Sequence, residues 1–304
     1  MNTLIERIRS LLTHSTVDAA MGSANASARH CATAKDAMPI RATVAAFVST
    51  LLFVFSLTGC SMNTTLTPGA REQLAPGGTM RVGLNMSNFL LVKKDAASGE
   101  LSGVAIDLAR ELARRIGVPV QFVPYESPGK VAEAAPTGAW DIAFLGAEPQ
   151  RANEIAFTAA YLEIEATYLV PPGSKFQSVA DVDQAGVRIS VSNKSAYELF
   201  LTRSLKHAEL QRIDGVEPSY QHFVNARLDA LAGLRPRLVS DVERIPGARV
   251  LSDRFTAIQQ AMGTPKARAE AYPVLEAFVA DVKRSGFVAA AIERNGARGA
   301  TVAP

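Results

Sequence analysis

The sequence predicts an α/β protein with open, mostly parallel sheets. Two observations carry this. From residue 80 onwards, short β-prone runs alternate with helical periods in two successive blocks. One run, Trp140 to Leu145, is apolar at nearly every position, as a strand buried on both faces of a parallel sheet requires.

The elements follow in order. Ser61 to Gly78 is rich in Thr, Pro, Gly, Asn and Ser and reads as a tether without structure of its own. A first strand spans Met80 to Asn85, and a loop through Ser98-Gly99 leads to a helix from Val104 to Ile116. Its apolar positions Val104, Leu108, Leu112 and Ile116 recur every four residues, and Gly117 stands where a left-handed cap belongs. Val118, Val120 and Phe122 alternate with polar or turn residues as a second strand, followed by a short helix around Lys130 to Ala135 and the strand Trp140 to Leu145. The second block predicts strands at Thr167 to Val170 and Val187 to Val191, a helix from Ser195 to His207, and a strand from Leu210 to Ile213. After it come a helix from Ser219 to Ala226 and strands at Ala230 to Ala232 and Val250-Leu251. A long amphipathic helix from Lys266 to Ser285, closed by Gly286, and a short helix ending at Asn295 complete the chain.

Before these elements lies a targeting signal. Arg41 precedes a largely apolar stretch without charges, Ala42 to Phe55, which leads into Leu57-Thr58-Gly59-Cys60. A basic start, an apolar core and a small-residue cleavage site are the three parts of an export signal. The stretch is shorter than the roughly 20 residues of a spanning helix. The arrangement resembles the lipobox of bacterial lipoproteins, which implies lipid attachment at Cys60 as the new first residue and a membrane anchor on the periplasmic side of the envelope. Ser61, where an aspartate often marks inner-membrane retention, leaves outer-membrane sorting open. Residues 38–59 are therefore the signal, with translation expected from Met38. Residues 1–37 are a non-native or disordered extension, and 60–78 the lipidated tether.

Composition excludes several functions. The chain has 32 Lys and Arg against 29 Asp and Glu; five of the former and three of the latter precede Cys60, so the exported body is almost neutral. It has no basic footprint for nucleic acid or an anionic membrane surface. Cys31 lies upstream of the signal, so packing without a disulfide must hold the body. No P-loop, dinucleotide glycine pattern, nucleophile elbow or His-Glu-x-x-His is present, and no cofactor, metal or catalytic residue is expected. His207 and His222 sit on predicted helices without a cysteine partner.

Open α/β sheets bind ligands in the loops at the carboxyl ends of their strands. The loop after Trp140 to Leu145 reads Gly146-Ala147-Glu148-Pro149-Gln150-Arg151. Arg151 offers a planar fork of donors that matches a carboxylate in two parallel hydrogen bonds. The loop Ser192-Asn193-Lys194-Ser195 carries a capping-box spacing from Ser195 to Glu198, and a helix start with Lys194 beside it suits an anion. Trp140 is expected in the core, and Tyr125-Glu126, following the strand Val118 to Phe122, is a candidate for the cleft rim.

The stretch Ala139-Trp140-Asp141-Ile142-Ala143-Phe144, then Arg151, then Ile155-Ala156-Phe157-Thr158-Ala159-Ala160-Tyr161, resembles the central signature of the family 3 extracellular solute-binding proteins. Gly103 with Asp107, Gly186 to Val191 and Leu228 to Leu231 follow in the family's order. The resemblance implies a two-lobed periplasmic-binding-protein-like fold of type II, each lobe an open sheet flanked by helices. Lobe one would comprise 79–163 plus 258–304 and lobe two 164–257, with hinge crossings near Glu163-Glu165 and Thr256-Gln260. It further implies a monomer that closes over a small molecule and delivers it to ABC permease subunits.

Carried over residue by residue, the resemblance places a carboxylate on Arg151, with Gly146, Ser192, Lys194 and Ser195 around it. It also implies an aromatic at Phe89 in the loop Asn85-Met86-Ser87-Asn88-Phe89. Amino-acid binders place an aspartate after the strand at Ala230 to Ala232 to pair with an ammonium. Here Gly233-Leu234-Arg235 follows instead, and Arg235 points to an anion, an organic acid or other anionic metabolite. Glu148 is the candidate to replace the missing carboxylate and accept an amino acid. Two alternatives stand beside import: a cyclohexadienyl-type dehydratase with Glu126 or Glu148 as general acid, and a sensor or accessory envelope lipoprotein.

Overall fold

A computed structural model describes residues 66–304. The extension, the signal and the lipid site at Cys60 lie outside the described residues. The chain runs through helix α1 (Pro68–Leu74), strands β1 (Met80–Asn85), β2 (Lys93–Lys94) and β3 (Leu101–Ser102), helix α2 (Val104–Ile116), strand β4 (Val120–Tyr125), helix α3 (Pro128–Glu133) and strands β5 (Ile142–Gly146) and β6 (Ile155–Val170). It continues through β7 (Arg188–Ser192), α4 (Ala196–Ser204), β8 (Glu209–Ile213), α5 (Val216–Asn225), β9 (Ala230–Leu234), α6 (Arg235–Val242), β10 (Arg249–Val250), β11 (Thr256–Pro265), α7 (Tyr272–Arg284), α8 (Phe287–Arg294) and β12 (Ala300–Val302).

One large sheet in the order β4-β1-β5-β11-β6-β9-β7-β8 runs through the body. Its two wings are parallel: β4, β1 and β5 on one side, β9, β7 and β8 on the other. The centre is antiparallel, because β6 pairs with β11 along most of its length, and β10 and β12 also pair with β6. The mostly parallel expectation therefore holds for each wing but not for the seam between them. Its reason is connectivity: β6 carries the chain from one wing to the other and β11 brings it back.

The packing divides in the same place. Leu84, Ile106, Leu112, Ile142, Tyr161, Ile164, Met262 and Leu275 belong to one buried cluster; Ala166, Tyr168, Ile189, Val191, Leu201 and Ile258 belong to another. The change falls between Ile164 and Ala166 on β6 and between Ile258 and Met262 on β11. Each wing thus buries its own apolar face, and two strands join them as lobes. Trp140 is fully buried just before β5, its indole N–H donating to the Val131 carbonyl at 3.0 Å.

The structure differs from the expected elements in several places, β2, β3, β11 and the part of β6 before Thr167 among them. The tether contains α1, whose N-cap Thr67 accepts from the Ala70 N–H at 3.0 Å with Pro68 at the first helical position. The Thr-Pro pair that reads as linker composition is also a helix start, and buried Leu74 anchors it. Arg71 then donates to the Ile116 and Gly117 carbonyls, both at 3.0 Å, closing the end of α2. Helix α6 was not foreseen, nor was β12. The last long helix starts at Tyr272 because β11 extends to Pro265.

Candidate functional site

Four parallel strands end at one cleft between the lobes. Asn85 ends β1, Gly146 ends β5, Ser192 ends β7 and Leu234 ends β9, and all four line one cleft that opens to solvent. Ile258 and Gln260 of the seam strand β11 also line it. Parallel sheets converge their carboxyl ends on such a crevice. The walls are mostly apolar, with Phe89, Val216, Leu231 and Leu238 among them.

Arg151 lies in this cleft at 6% exposure. Its guanidinium donates to the Gly146 carbonyl of its own lobe and to the Lys194 carbonyl of the other, each at 2.8 Å. It forms no ion pair among the described residues, since the nearby carboxylates of Glu148 and Glu198 are bound to Arg203 and Arg212, at 2.6 and 2.8 Å. Burial pushes the Arg151 pKa down to about 10, partly opposed by the charges of Glu148 and Glu198. A buried cation without its own counterion is costly and is normally matched by a partner.

Contacts between the lobes surround it. Glu148 is buried and reaches across to Arg203 rather than lining the cleft. The contact is ionic without hydrogen-bond alignment, and burial raises the Glu148 pKa against the pull of Arg203 and Arg151. The side chain of Lys194 pairs with Glu133 on the opposite lobe, beside a hollow that also holds Glu126. Lys194 has φ 54°, a backbone region that disfavours side chains. The lobes also come close at two glycines. A Cβ on Gly129 would stand 2.8 Å from the Lys194 Cβ, and one on Gly146 would stand 2.8 Å from the Ala196 Cβ.

The other predicted residues divide. Asn85, Phe89, Ser192 and Ser195 line the cleft, Phe89 at its exposed edge. Asn85 is engaged locally, its Oδ1 accepting from the Ser87 N–H and hydroxyl at 3.1 and 2.8 Å. Ser195 is the N-cap of α4 and accepts from the Glu198 N–H at 3.1 Å. The reciprocal half of the box is not made, because the Glu198 carboxylate takes Arg212 and the Thr202 hydroxyl. Burial raises the Tyr197 phenol beside them, with the Ser195 and Ser192 hydroxyls acting in the other direction.

Arg235 is a correction. As the first residue of α6 it turns away from the cleft, pairs with Glu165 at 2.6 Å and donates to the carbonyls of Leu251, Ser252 and Asp253. The next positions face the cleft instead: Leu234, Arg237, Leu238 and Asp241 line it at helical spacing. Asp241 is 2% exposed and accepts from Arg237 at 2.9 Å and Arg244 at 3.3 Å; both guanidiniums also hold Glu217. Two cations and two anions thus close a neutral network on this wall. Glu126 is exposed and Glu148 is buried, and both lie outside the main cleft, so neither proposed general acid lines it. Among the described residues no three His, Cys, Asp or Glu side chains group as metal ligands.

Residues 80–296 match the model of the bacterial extracellular solute-binding proteins, family 3. The chain is similar to the L-cystine-binding protein TcyJ of Escherichia coli K12, 19% identical over 247 residues, covering 80% of this chain and 92% of that one. Among solved structures it is similar to an ancestral amino acid-binding protein, AncCDT-1, a precursor of cyclohexadienyl dehydratase. The TM-score is 0.62 at 24% identity, over 74% of this chain and 98% of that one. It is also similar to the substrate-binding protein AbpA of Streptococcus pneumoniae bound to L-arginine, with a TM-score of 0.63 at 20% identity, covering 74% of this chain and 97% of that one. These structures share the two-lobed fold of type II.

Proposed function

Because the chain belongs to the bacterial extracellular solute-binding proteins of family 3, we propose that it captures a small carboxylate-bearing metabolite between its lobes and presents it to an ABC permease. The observation that carries this reading is Arg151, a cleft guanidinium with two bonds to backbone carbonyls and no carboxylate of its own. A guanidinium has five N–H donors. The remaining donors and the uncompensated charge suit a ligand carboxylate, which would bind a residue already touching both lobes and so favour closure.

A net anion fits best. Gly233-Leu234-Arg235 stand where amino-acid binders place an ammonium-binding aspartate, and Asp241 already holds two guanidiniums. An amino acid is the second reading, favoured by the unused acceptor sites of Asp241 and by relatives named for cystine and bound to L-arginine. The proposal includes export and a lipid anchor at Cys60, with the body on the periplasmic side. Cys60→Ser should abolish fatty-acid labelling.

The test is a thermal-shift screen of the purified protein against amino acids, keto acids, dicarboxylates and phosphorylated or sulfonated metabolites. A ligand that binds only the folded state raises the melting temperature. An amine-free carboxylate hit supports the first reading, and an amino-acid hit the second. Absence of any carboxylate hit overturns both and favours a sensor or accessory role.

A further inference from the structure

Two apolar cores meet on β11 at a polar residue. Ile258 belongs to the lobe-two cluster and Met262 to the lobe-one cluster. Gln260 lies between them on the same face of the strand, is 5% exposed and lines the cleft. On the other face Gln259 donates to the Glu163 carboxylate at 2.8 Å, whereas the Gln260 carboxamide makes no hydrogen bond among the described residues. The unpaired polar atoms sealed from solvent belong to Asn88, Glu148, Tyr161 and Glu276, so the Gln260 carboxamide remains accessible from the cleft. Packing does not account for it, since buried polar side chains are normally paired.

Its position relative to Arg151 follows from the ladder. Gln260 and Gly146 are directly opposite in the β5–β11 pair, which puts their side-chain positions on one face about 4.5–5.5 Å apart. At the place where a Gly146 Cβ would stand, Arg151 Nη1 is 3.6 Å away and the side chain of Ile258 is 2.9 Å away. The guanidinium and the carboxamide are therefore neighbours on one face of the sheet, with no side chain on Gly146 between them.

A carboxylate has about four acceptor sites. Arg151 already uses two donors on the Gly146 and Lys194 carbonyls. We propose that the Gln260 Nε2 donates to the same ligand carboxylate that Arg151 holds, so that a side chain of the strand joining the lobes completes the anchor. This rests on the reading of Arg151 as the carboxylate anchor.

The experiment is calorimetric titration of the purified protein with propanoate, 3-methylbutanoate, L-lactate and L-valine, comparing wild type, Gln260→Met and Gln260→Glu. Gln260→Met keeps the length of the side chain and removes the donor. It should weaken every probe that the wild type binds by about ten- to a hundredfold, while the ligand-free melting temperature holds or rises. Gln260→Glu sets a carboxylate beside Arg151 and so acts as a built-in ligand. At neutral pH its ligand-free melting temperature should rise, its affinity for each probe should fall below that of Gln260→Met, and Arg151→Met added to it should remove the rise.

Affinity in Gln260→Met within about twofold of wild type overturns the inference and leaves Arg151 as anchor. So does Gln260→Glu binding a probe as tightly as wild type, since the carboxamide would then be accepting from the ligand. A lowered melting temperature in Gln260→Glu, equal with and without Arg151, overturns it as well, because the two side chains would not be neighbours. If none of the four probes binds the wild type, the carboxylate reading fails and takes this one with it.

Discussion

Arg151 and Arg237 line the same cleft but are opposites electrostatically. Arg237 sits on the α6 wall between Asp241 and Glu217, with Arg244 completing a neutral square. Arg151 sits at the other lobe's strand end, deeper, with only carbonyl oxygens for partners. The charge of the first is already matched within the protein, whereas that of the second is available to a ligand. A charged residue in a cleft therefore indicates recognition only after its own partners have been counted.

The largest effect that would break this contrast is on binding. Arg151→Ala should weaken a carboxylate ligand by about 2–5 kcal/mol in a calorimetric titration, and affinity within about a factor of two of wild type would exclude it as anchor. Arg151→Met should leave the ligand-free melting temperature unchanged or higher, because no carboxylate is orphaned. Arg237→Met should do the reverse, lowering stability in denaturant melts by about 1.5–3 kcal/mol as buried Asp241 loses a charged partner.

Acid should act on the α6 wall in a defined direction. Glu217 is held down from its ordinary 4.5 to about 2, chiefly by Arg244, with Gln221 and Arg237 assisting. A depressed carboxylate stabilises the fold fully above its unfolded pKa, and that share is lost as pH falls from about 4.5 towards 2. Glu217→Gln should flatten this limb of a stability-versus-pH curve; because Glu217 is half exposed, the difference should also shrink in salt. The smallest effect belongs to the exposed Glu133–Lys194 pair across the cleft rim. Glu133→Gln should change affinity by less than about 1 kcal/mol and by nothing measurable near ~0.5 M salt.

The two-lobed α/β fold could be read from the sequence because its signals are local. Val104 to Ile116 shows its period, Gly117 its left-handed cap at φ 68°, and the all-apolar β5 its burial on both faces. Arg151 was found from its place between a buried strand and an aromatic-Thr segment. Arg235 was misplaced because the reading stopped at the end of β9. Continuing the helical spacing through Leu234, Arg237, Leu238 and Asp241 would have identified the cleft-facing stripe, with Pro236 as its start signal. Asn88, buried on the cleft wall, had no such signal. Its burial depends on how Leu90 to Val92 seat in the core. Glu148 and Lys194 were expected to meet a ligand, but their partners Arg203 and Glu133 lie on the opposite lobe, a proximity that exists only after folding.

The glycines at the lobe contact have a mechanical consequence. With no side chain at Gly129 or Gly146, the main chain at both positions comes close to the first side-chain carbons of Lys194 and Ala196 on the other lobe. A molecule thicker than the gap they permit must hold them apart and draw the Lys194 carbonyl away from Arg151. Under the proposed reading, thickness would thereby be translated into the loss of a hydrogen bond.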